Sequence, residues 1–366
     1  MTVIDHDLSA KAAKPRKATT LKRVADEAGV SITAVSKVLH GRGQSVRVSD
    51  DTAEHIREVA QKLNYVPNSL ARSLRTNKTD TVGLVFENFG DIAEGPHFYL
   101  HLLDGIASEI FKNHFRLTLL AEVDPLNPLS SLADGRLDGV IWCKLAGSPE
   151  LIRQIANSPI PVVALHAPPL EMAHSTVFVT CDNKGGSRLV VDHLSELGHE
   201  KILFVLETGE ETTPDALARL EGFKERMAEL GRPVGDDDVV VWSGKAKEVP
   251  GWLGRKTGHT AIYCWNEFLA GSVIKQLQDS GRKVPKEFSV VGFDSTPFCE
   301  TTTPRLTAVR QPIHAMAGQA AKVLMDLING SKPSQLHQVF SCTLDVRDST
   351  GLAPILASVQ RNNHVS

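Results

Sequence analysis

The segment Thr20-Leu-Lys-Arg-Val-Ala-Asp-Glu-Ala-Gly-Val-Ser-Ile-Thr-Ala-Val-Ser-Lys-Val-Leu39 predicts two helices separated by a short turn. Thr20 is a good N-cap for a first helix whose apolar residues recur at helical spacing. Gly29 permits the left-handed turn that ends this helix. Ser31 caps a second helix, predicted from Ile32 to about Leu39. The order of helix, glycine turn and helix is the helix-turn-helix pattern, although many other helical hairpins have a similar pattern.

A third helix and a short following segment are predicted downstream. The helix begins at Ser49-Asp-Asp-Thr52, where acidic residues favour the positive end of the helix dipole. Its apolar face contains Ile56, Val59, Ala60 and Leu63. The second helix exposes side chains that are short or cationic, as the major groove of DNA requires. They are Ile32, Thr33, Ser36 and Lys37.

The charge is divided unevenly along the 366 residues. The net charge is -3, but residues 1–80 carry 14 Lys/Arg against 9 Asp/Glu and residues 81–366 carry 26 against 34. A basic amino-terminal segment followed by an acidic remainder of the chain indicates a polyanion-binding module attached to a second module. The alternative is that the basic residues 11–17 form only a solvated tail.

The composition excludes several classes of protein. At 42% hydrophobic and 23% charged residues, the chain is typical of a globular protein. It has no apolar run of 18 residues and no apolar core in its first 20 residues, so neither a spanning helix nor a secretory signal is expected. Five scattered cysteines without CxxC spacing favour a reducing cytoplasm and argue against a disulfide framework or a zinc site.

Residues 80–350 are predicted to form a two-lobed α/β body. Strand-like runs alternate with helical segments, which indicates parallel sheets with helices on both faces. The predicted strands are Thr81–Phe86, Leu117–Leu120, Gly139–Trp142, Pro161–Leu165, Ile202–Val205, Val239–Trp242, Ala261–Cys264 and Phe288–Gly292. The predicted helices include Asp215–Leu230, Glu267–Ser280 and Ile313–Ile328.

Nucleotide-dependent and hydrolytic enzymes are the first competing classes for this body. The sequence has no GxGxxG after a strand, no GxxxxGK[ST], no GxSxG and no HExxH. No histidine pair has a metal spacing on one helix. His193 and His199 flank a helix end and are expected to be structural.

Several motifs resemble those of the lactose-repressor (LacI/GalR) family, over about residues 19–350. The motifs are Leu21-x-x-Val-Ala-x-x-Ala-Gly-Val-Ser31, Leu63-Asn-Tyr-Val-Pro-Asn-x-x-Ala-Arg-x-Leu74, Val179-x-x-Asp182-Asn183, Arg219-x-x-Gly222-Phe223, Val290-Val-Gly-Phe-Asp294 and Leu306-Thr-x-Val-x-Gln-Pro312. The resemblance implies an all-α helix-turn-helix headpiece and a two-lobed core built like a periplasmic sugar-binding protein.

The resemblance also implies a domain organisation. A basic, disordered tail (1–18) precedes the helix-turn-helix domain (19–65), a hinge helix or linker (66–79), the effector-binding core (80–350) and a carboxyl-terminal tail (351–366). Subdomain 1 of the core comprises 80–178 and 311–333, and subdomain 2 comprises 179–310 and 334–350. Three chain crossings are therefore expected near Val179, Arg310 and Pro333.

The DNA contacts implied by the resemblance fall into three groups. Recognition-helix positions read bases, cap and phosphate positions set the register, and a hinge leucine wedges into the minor groove. The implied contacts are Thr20, Ser31, Ile32, Thr33, Ser36, Lys37, Arg47, Thr52, Asn68 and Leu74, with Ile32, Thr33 and Lys37 at the base-reading positions. The alternative for Leu74 is packing against its own domain. The loop Gly41–Ser45 is longer than usual in the family, and Arg42 either adds a phosphate contact or lies in a floppy loop.

The ligand contacts implied by the resemblance lie at predicted strand ends, where ligands bind in such sheets. They are Phe98, Tyr99, His166, Arg219, Asn266 and Asp294, joined by three tryptophans that close apolar strands, Trp142, Trp242 and Trp265. Each has a structural alternative. Asp294 could cap a turn, Arg219 could be an exposed helix residue, and the aromatic residues could be core. His166 and Glu267 depart from the family's usual residues.

The sequence thus predicts a homodimeric, DNA-binding transcriptional regulator, with repression favoured. Its expected partners are a pseudo-palindromic double-stranded operator and a small effector, with no cofactor and no membrane association. The acidic loop Glu207–Glu211 favours a neutral saccharide over an anionic ligand. The alternatives are a stand-alone sugar-binding protein and a sugar-acting enzyme. The stretches Asp124–Gly135 and Gly244–Gly258 look too short for the family's usual helices, which puts the response to a ligand in doubt.

Overall fold

The computed structural model describes residues 19–40, 47–67, 69–86, 98–120, 128–143, 149–167, 176–244 and 258–354. The chain divides into two compact units, residues 1–77 and 78–366. The predicted tail 1–18, the loop Gly41–Ser45 and most of Gly244–Gly258 lie outside the described residues.

The first unit is helical, as predicted. It contains α1 (Leu21–Ala28), α2 (Ile32–His40), α3 (Asp50–Lys62) and α4 (Ser69–Thr76). The first three helices pack around a small apolar core, which consists of Val24, Ala25, Ala28, Val35, Ile56, Val59 and Ala60.

The local signals that predicted these helices are confirmed. The Thr20 side chain accepts a hydrogen bond from the Arg23 amide at 3.3 Å, and the Ser49 hydroxyl accepts one from the Thr52 amide, also at 3.3 Å. Gly29 ends α1 at φ 65°, the left-handed conformation that glycine adopts without strain.

The first sheet of the second unit has six parallel strands. They are β1 (Thr81–Val85), β2 (Arg116–Leu120), β3 (Gly139–Cys143), β4 (Val162–Leu165), β5 (Val177–Cys181) and β11 (His337–Phe340). Their order across the sheet is β11-β5-β4-β3-β1-β2. The accompanying helices are α5 (Phe98–Lys112), α6 (Pro128–Leu132), α7 (Pro149–Ala156) and α12 (Ile313–Ile328).

The second sheet also has six strands, in the order β12-β10-β9-β8-β6-β7. They are β6 (Ile202–Glu207), β7 (Val239–Trp242), β8 (Ala261–Cys264), β9 (Ser289–Asp294), β10 (Thr307–Arg310) and β12 (Thr343–Asp345). All pairs are parallel except β10 with β12, which is antiparallel. The helices are α8 (Asn183–Glu196), α9 (Pro214–Glu229), α10 (Glu267–Asp279) and α11 (Phe298–Thr301).

Three crossings join the two lobes, and two of them differ from the prediction. The first lies at Asp182 rather than near Val179, because β5 stays in the first sheet as far as Cys181. The second, after Arg310, agrees with the prediction. The third lies at 341–342 rather than near Pro333, because β11 pairs with β5 in the first sheet before the chain enters the second. The residues of β11 are partly polar and alternate between exposed and half-buried positions, so the sequence contained no hydrophobic signal for this strand.

Two histidines are structural, as predicted. His199 is fully buried, and its ring nitrogens lie 2.8 Å from the Thr260 hydroxyl and 2.9 Å from the Ser289 hydroxyl. His193 lies 3.0 Å from the Thr350 hydroxyl. The His199 ring also lies 3.0 Å from the Gly351 carbonyl oxygen, so both rings tie the segment after β12 to the second lobe.

The stretch Asp124–Gly135, predicted to be too short for a long helix, is described only from residue 128 onward. In the described part of the stretch before β3, residues 128–135, only the five-residue helix α6 is present. Its Leu132 is nevertheless fully buried, in an apolar cluster on one face of the first sheet. The short helix α6 therefore covers this face of the first sheet together with α7, whose Leu151 and Ile155 belong to the same cluster.

The helices α5 and α12 pack at very short range. A Cβ atom added to Gly105 of α5 would lie 2.5 Å from the His314 carbonyl oxygen and 2.8 Å from the Ala317 Cβ. Backbone atoms cannot yield as the end of a side chain can. Glycine at this position is therefore required for the two helices to approach each other.

A buried carboxyl group holds the loop that follows β9. Glu267, at the start of α10, accepts hydrogen bonds from the Thr296 amide at 2.7 Å and the Cys299 thiol at 3.1 Å, and its other oxygen contacts the Thr296 hydroxyl. Burial, reinforced by the nearby negative charge of Asp294, raises the pKa of Glu267 to about 7. The loop is therefore fixed by a carboxyl group that favours its protonated form.

Gly105→Ala should destabilise the second unit by about 1–3 kcal/mol, because the added methyl group forces α5 and α12 apart. The measurement is the midpoint of urea unfolding. Gly318→Ala on α12 is the matched control, since its added Cβ would lie 3.6 Å from the Gly105 carbonyl oxygen, an ordinary contact. Equal midpoints for the two variants would contradict the close packing.

Glu267→Gln should remove a pH dependence of stability. The folded protein holds the Glu267 proton up to a pKa of about 7, whereas the unfolded chain releases it near its ordinary value of 4.5. The unfolding free energy of the wild type should therefore fall between about pH 4.5 and pH 7, by roughly 1–3 kcal/mol.

The glutamine mimics the protonated carboxyl and should lack this fall. The measurement is urea unfolding at about pH 5 and pH 8, with the exposed Glu200→Gln as control. A Glu267→Gln profile parallel to that of the wild type would show that Glu267 is ionised throughout.

Candidate DNA-binding and ligand-binding sites

The second helix of the first unit presents its amino-terminal end to solvent. The Ser31 hydroxyl caps α2 by accepting from the Ala34 amide at 3.2 Å. Ile32 is 49% exposed and Thr33 is exposed, as predicted, whereas Ser36 and Lys37 are half-buried. The exposed surface therefore offers a branched apolar side chain, two hydroxyl groups and a cation. This is the mixture of methyl contacts and donors that base edges in the major groove can bind.

The positions predicted to contact phosphates lie around the ends of α1 and α3. Thr20 is exposed while its side chain caps α1, and Arg47 is exposed just before α3. Thr52 is half-buried, with its hydroxyl 2.8 Å from that of Ser49. The Thr19 hydroxyl donates to the Leu63 carbonyl at 3.0 Å, which ties the start of α1 to the end of α3. Asn68 lies outside the described residues.

Leu74 is a large apolar side chain in an unusual position. It lies on α4 and is 90% exposed. The alternative that it packs against its own domain is therefore wrong for this structure. An exposed leucine on a short helix remains available to a partner.

The interlobe cleft of the second unit is organised around Arg219. This residue on α9 is only 2% exposed, so it is not the exposed helix arginine of the alternative prediction. Its guanidinium donates to the Asn183 side-chain oxygen at 2.9 Å and to the Trp265 carbonyl at 2.5 Å. It also lies 3.5 Å from an Asp294 carboxylate oxygen and 3.7 Å from Asp215.

The charges around Arg219 are balanced by buried carboxylates. Burial by itself lowers the pKa of Arg219. The negative charges of Asp294 and Asp215 have a larger effect, so the pKa of Arg219 is raised. The guanidinium also stacks over the Phe293 ring at 3.8 Å and lies 5.5 Å from the Trp265 ring. Arg219 is therefore held in its charged form by contacts within the second lobe.

Two of the predicted ligand contacts adopt strained backbone conformations. His166 follows β4 at φ 56°, and Asp294 ends β9 at φ 95°, followed by Ser295 at φ 48°. Non-glycine residues avoid this region, and such residues cluster at binding and active sites. Both residues lie at the carboxyl ends of their strands, the edge of a parallel sheet at which ligands bind.

Aromatic side chains of the first lobe surround His166. The rings of Phe98 and His166 are 4.8 Å apart, and Tyr99 packs edge-on against Phe98 and Phe86. Phe98 is buried in the main core, whereas Tyr99 is half-buried. Three predicted contacts of this lobe, Phe98, Tyr99 and His166, therefore form one group.

A pocket of about 170 Å³ lies where the two lobes meet. Its wall includes His166 and Cys181 from the first lobe and Asp215 from α9 of the second. Asp215 was not predicted as a site residue, although an acid in the first turn of a helix was visible in the sequence. The pocket wall therefore contains both a carboxylate and an imidazole, groups that can bind a ligand with several hydroxyl groups.

The three tryptophans have different environments. Trp265 lies beside Arg219, and its indole nitrogen donates to a Glu207 carboxylate oxygen at 3.4 Å. Trp242 is buried at the end of β7, paired in the sheet with Glu207. Trp142 instead packs with Val140 in the apolar cluster against α7, because residues two apart on a strand share a face. The structure therefore places Trp142 in a core rather than in the cleft.

One predicted side chain, Asn266, and two that were not predicted, Gln311 and Asn183, complete the cleft. Asn266 caps α10 by accepting from the Leu269 amide at 2.7 Å, and its amide group donates to Glu207 at 3.4 Å. Gln311, at the second crossing, donates to the Asp294 carboxylate at 2.5 Å. Asn183, at the start of α8, accepts from Arg219. Gln311 and Asn183 stood in quoted motifs, but only long-range contacts reveal their roles.

A close approach of two helices explains one glycine of the motifs. A Cβ atom on Gly222 of α9 would lie 2.6 Å from the Lys184 backbone of α8. The glycine thus sets the separation of α8 and α9, and with it the distance from Arg219 to Asn183.

The described ranges contain neither a cluster of metal-binding side chains nor a membrane-spanning helix. No group of three or more His, Cys, Asp or Glu side chains there could hold a metal ion. No helix among these residues is long and apolar enough to cross a membrane.

Comparisons with known proteins agree with both halves of this description. The family model of bacterial regulatory proteins of the lacI family matches residues 20–68, and the periplasmic binding protein-like domain matches residues 191–350. Catabolite control protein A of Priestia megaterium is 30% identical over 319 residues, covering 85% of this chain and 92% of that protein.

Two solved structures match over nearly the whole chain. A complex of the transcriptional regulator CelR with cellobiose is 27% identical, with a TM-score of 0.67 over 90% of this chain and 99% of that one. The lac repressor dimer bound to operator and the anti-inducer ONPF is 22% identical, with a TM-score of 0.78 over 92% and 100% of the two chains. A helix-turn-helix unit, a two-lobed core and these matches lead to one conclusion: the chain belongs to the LacI family of bacterial DNA-binding transcriptional regulators.

Proposed function

We propose that this protein is a homodimeric repressor that acts in the cytoplasm and catalyses no reaction. A neutral saccharide controls its affinity for a pseudo-palindromic operator. The observation that carries the proposal is the presence, in one chain, of an exposed recognition surface on α2 and a buried, charge-balanced Arg219 in an interlobe cleft. A two-fold symmetric protein calls for two-fold symmetric DNA, which is why a dimer and a palindrome are proposed together.

The DNA contacts are assigned by exposure and chemistry. Ile32 and Thr33 are assigned to base edges because both are exposed at the start of α2. Lys37 is assigned to guanine O6 and N7, which accept from cations. Ser31 and Ser36 line the same helix. The remaining residues, which set the register on phosphates, are Thr20, Arg47, Thr52 and Asn68.

Leu74 is assigned to the minor groove at the operator centre. Apolar side chains that enter a base step unstack it at a cost of a few kcal/mol, which contacts made by the bent duplex offset. The 90% exposure of Leu74 supports this role, because α4 holds it away from its own core.

The ligand is assigned from the charge of the cleft. Arg219 already faces the carboxylates of Asp294 and Asp215, so a phosphate or carboxylate ligand would meet two negative charges and one positive charge. Hydroxyl groups can instead donate to these carboxylates and accept from the guanidinium. The CelR match, solved with cellobiose, supports the saccharide class. His166, Phe98, Tyr99, Trp265 and Asn266 are assigned to the same site, with Trp242 at its edge.

Ligand and operator are coupled through the lobes. A saccharide that contacts residues of both lobes favours one angle between them, and the three crossings absorb the rotation. Typical coupling free energies of about 1–3 kcal/mol change operator affinity about 5–150-fold. The three crossings at 182, 311–312 and 341–342 are the hinge of this proposal.

Leu74→Ala should weaken binding to the operator more than binding to nonspecific duplex. The operator is obtained by selecting duplexes from a random pool with the wild-type protein, and an inverted repeat is expected. Loss of the wedge should reduce operator affinity about tenfold or more, corresponding to about 1.4 kcal/mol. Affinities are measured by fluorescence anisotropy at fixed salt concentration, because nonspecific binding depends strongly on salt.

The matched control is Val66→Ala, which shortens another exposed apolar side chain of the same unit, 75% exposed. An equal loss on operator and nonspecific DNA would refute the wedge, and failure to enrich any repeat would refute sequence-specific repression.

A saccharide should raise the thermal stability of the protein, whereas sugar phosphates should not. A ligand at 100 times its Kd stabilises the folded state by about 2.7 kcal/mol. The measurement is a thermal-shift panel of neutral mono- and disaccharides, sugar phosphates and nucleobases. Asp294→Asn should weaken saccharide binding at least tenfold, because the amide replaces an acceptor of the ligand's hydroxyl groups.

Asp279→Asn, on the exposed face of α10, is the control. A response to sugar phosphates or nucleobases alone would overturn the neutral-saccharide assignment while leaving the DNA-binding role intact.

A further inference from the structure

Two cysteines meet where the chain crosses between the lobes. Cys181 is the last residue of β5 and is 3% exposed, while Cys342 follows β11 and is half-buried. The sheet brings them together, because Phe340 pairs with Cys181 in the β11–β5 ladder. A hydrogen bond between the two thiols, together with burial, raises the pKa of Cys181.

The Cys181 thiol also contacts the second crossing. The Cys181 sulfur donates to the Gln311 side-chain oxygen at 3.0 Å. Cys181 precedes the first crossing, Gln311 lies in the second and Cys342 in the third. All three connections between the lobes therefore converge on one sulfur atom.

A small oxidant can reach this pair. Cys181 lies in the wall of the interlobe pocket of about 170 Å³, together with Thr180 and Asp182. A peroxide has two heavy atoms and fits a pocket of this size. Three other cysteines in the described ranges, Cys143, Cys264 and Cys299, are buried. Cys342 is instead half-buried, so its thiol is the one of these five that an oxidant reaches most readily.

We infer that Cys181 and Cys342 form a reversible disulfide on reaction with hydrogen peroxide. The more exposed Cys342 reacts first: its thiolate sulfur attacks one peroxide oxygen, the O–O bond breaks, and water leaves after protonation, which gives a sulfenic acid. The Cys181 sulfur then attacks the Cys342 sulfur, the S–O bond breaks, and the hydroxide takes the Cys181 proton and leaves as water. The two thiols lose two electrons and peroxide is reduced to two water molecules.

The disulfide ties the first crossing to the third. Rotation of the lobes requires backbone changes in all three crossings, and a covalent bond between two of them restricts that rotation. The effect on operator binding rests on the proposed function, but formation of the disulfide does not. Oxidation would act on the hinge without occupying the saccharide site.

The first experiment detects the bond itself in the full chain. The reduced protein is treated with a few equivalents of hydrogen peroxide, remaining thiols are alkylated, and the digest is analysed by mass spectrometry. The expected product is a linked pair of peptides containing Cys181 and Cys342, two hydrogens lighter than the sum of the reduced peptides. Dithiothreitol should reverse it.

Matched variants identify the partners. Cys342→Ser and Cys181→Ser should each abolish the link, while Cys264→Ser should leave it unchanged. A Cys342 sulfinic acid without a link would overturn the proposal. A disulfide between either residue and a third cysteine would also overturn the proposal. Disulfides formed mainly between protein molecules would do the same. None of these outcomes depends on DNA or on a saccharide, so they are independent of the proposed function.

The second experiment measures the hinge. Hydrogen exchange is followed in peptides that contain Gln311, which the disulfide does not include. We expect exchange at the second crossing to slow severalfold in the oxidised wild type and to stay unchanged in peroxide-treated Cys342→Ser. Equal exchange in oxidised and reduced wild type would show that the bond forms without restricting the hinge, and would overturn that part of the inference.

Discussion

The cleft depends on one buried cation. Removing a guanidinium from water costs several kcal/mol unless hydrogen bonds and opposite charges replace the lost hydration. Arg219 obtains them from Asn183 of α8, the Trp265 carbonyl after β8, and two carboxylates, Asp215 and Asp294. Asp215 lies on the preceding turn of α9, and the other partners belong to other elements of the second lobe. The requirement to balance one charge therefore fixes how α8, α9, β8 and β9 meet at the carboxyl end of the second sheet.

The same network extends to the lobe connections. Asp294 receives a hydrogen bond from Gln311, and Gln311 in turn accepts one from Cys181. A continuous chain of polar contacts thus runs from Arg219 through Asp294 to the second and first crossings. A change in the charge or hydration of the cleft acts on residues that are themselves part of the hinge. In this geometry a small ligand needs no long pathway to influence the angle between the lobes.

Sequence reasoning worked where structure is determined locally. Helix α1 was predicted at its observed boundaries because its signals, the Thr20 cap and Gly29, act within a few residues. Most strands of the core were found as buried apolar runs. Four strands were missed, β5, β10, β11 and β12. β11 and β12 lie at sheet edges, where half-exposed residues replace the apolar pattern. β5 and β10 are buried, and their residues were quoted only as parts of family motifs. Without β11, the third crossing was placed too early in the chain.

The candidate site was predictable only in part, for a related reason. Arg219, Asn266 and Asp294 were identified from motifs and strand ends, and they do converge. What a motif cannot give is the face of a strand or the identity of a distant partner. The side chain of Trp142 follows the parity of Val140 into the outer cluster of the first lobe. Gln311 matters because it meets Asp294 from a separate chain crossing, and such a pair is set by tertiary packing. Asp215 lies one turn before Arg219 on α9, a spacing that the sequence does show, but its role depends on the burial of that turn in the cleft.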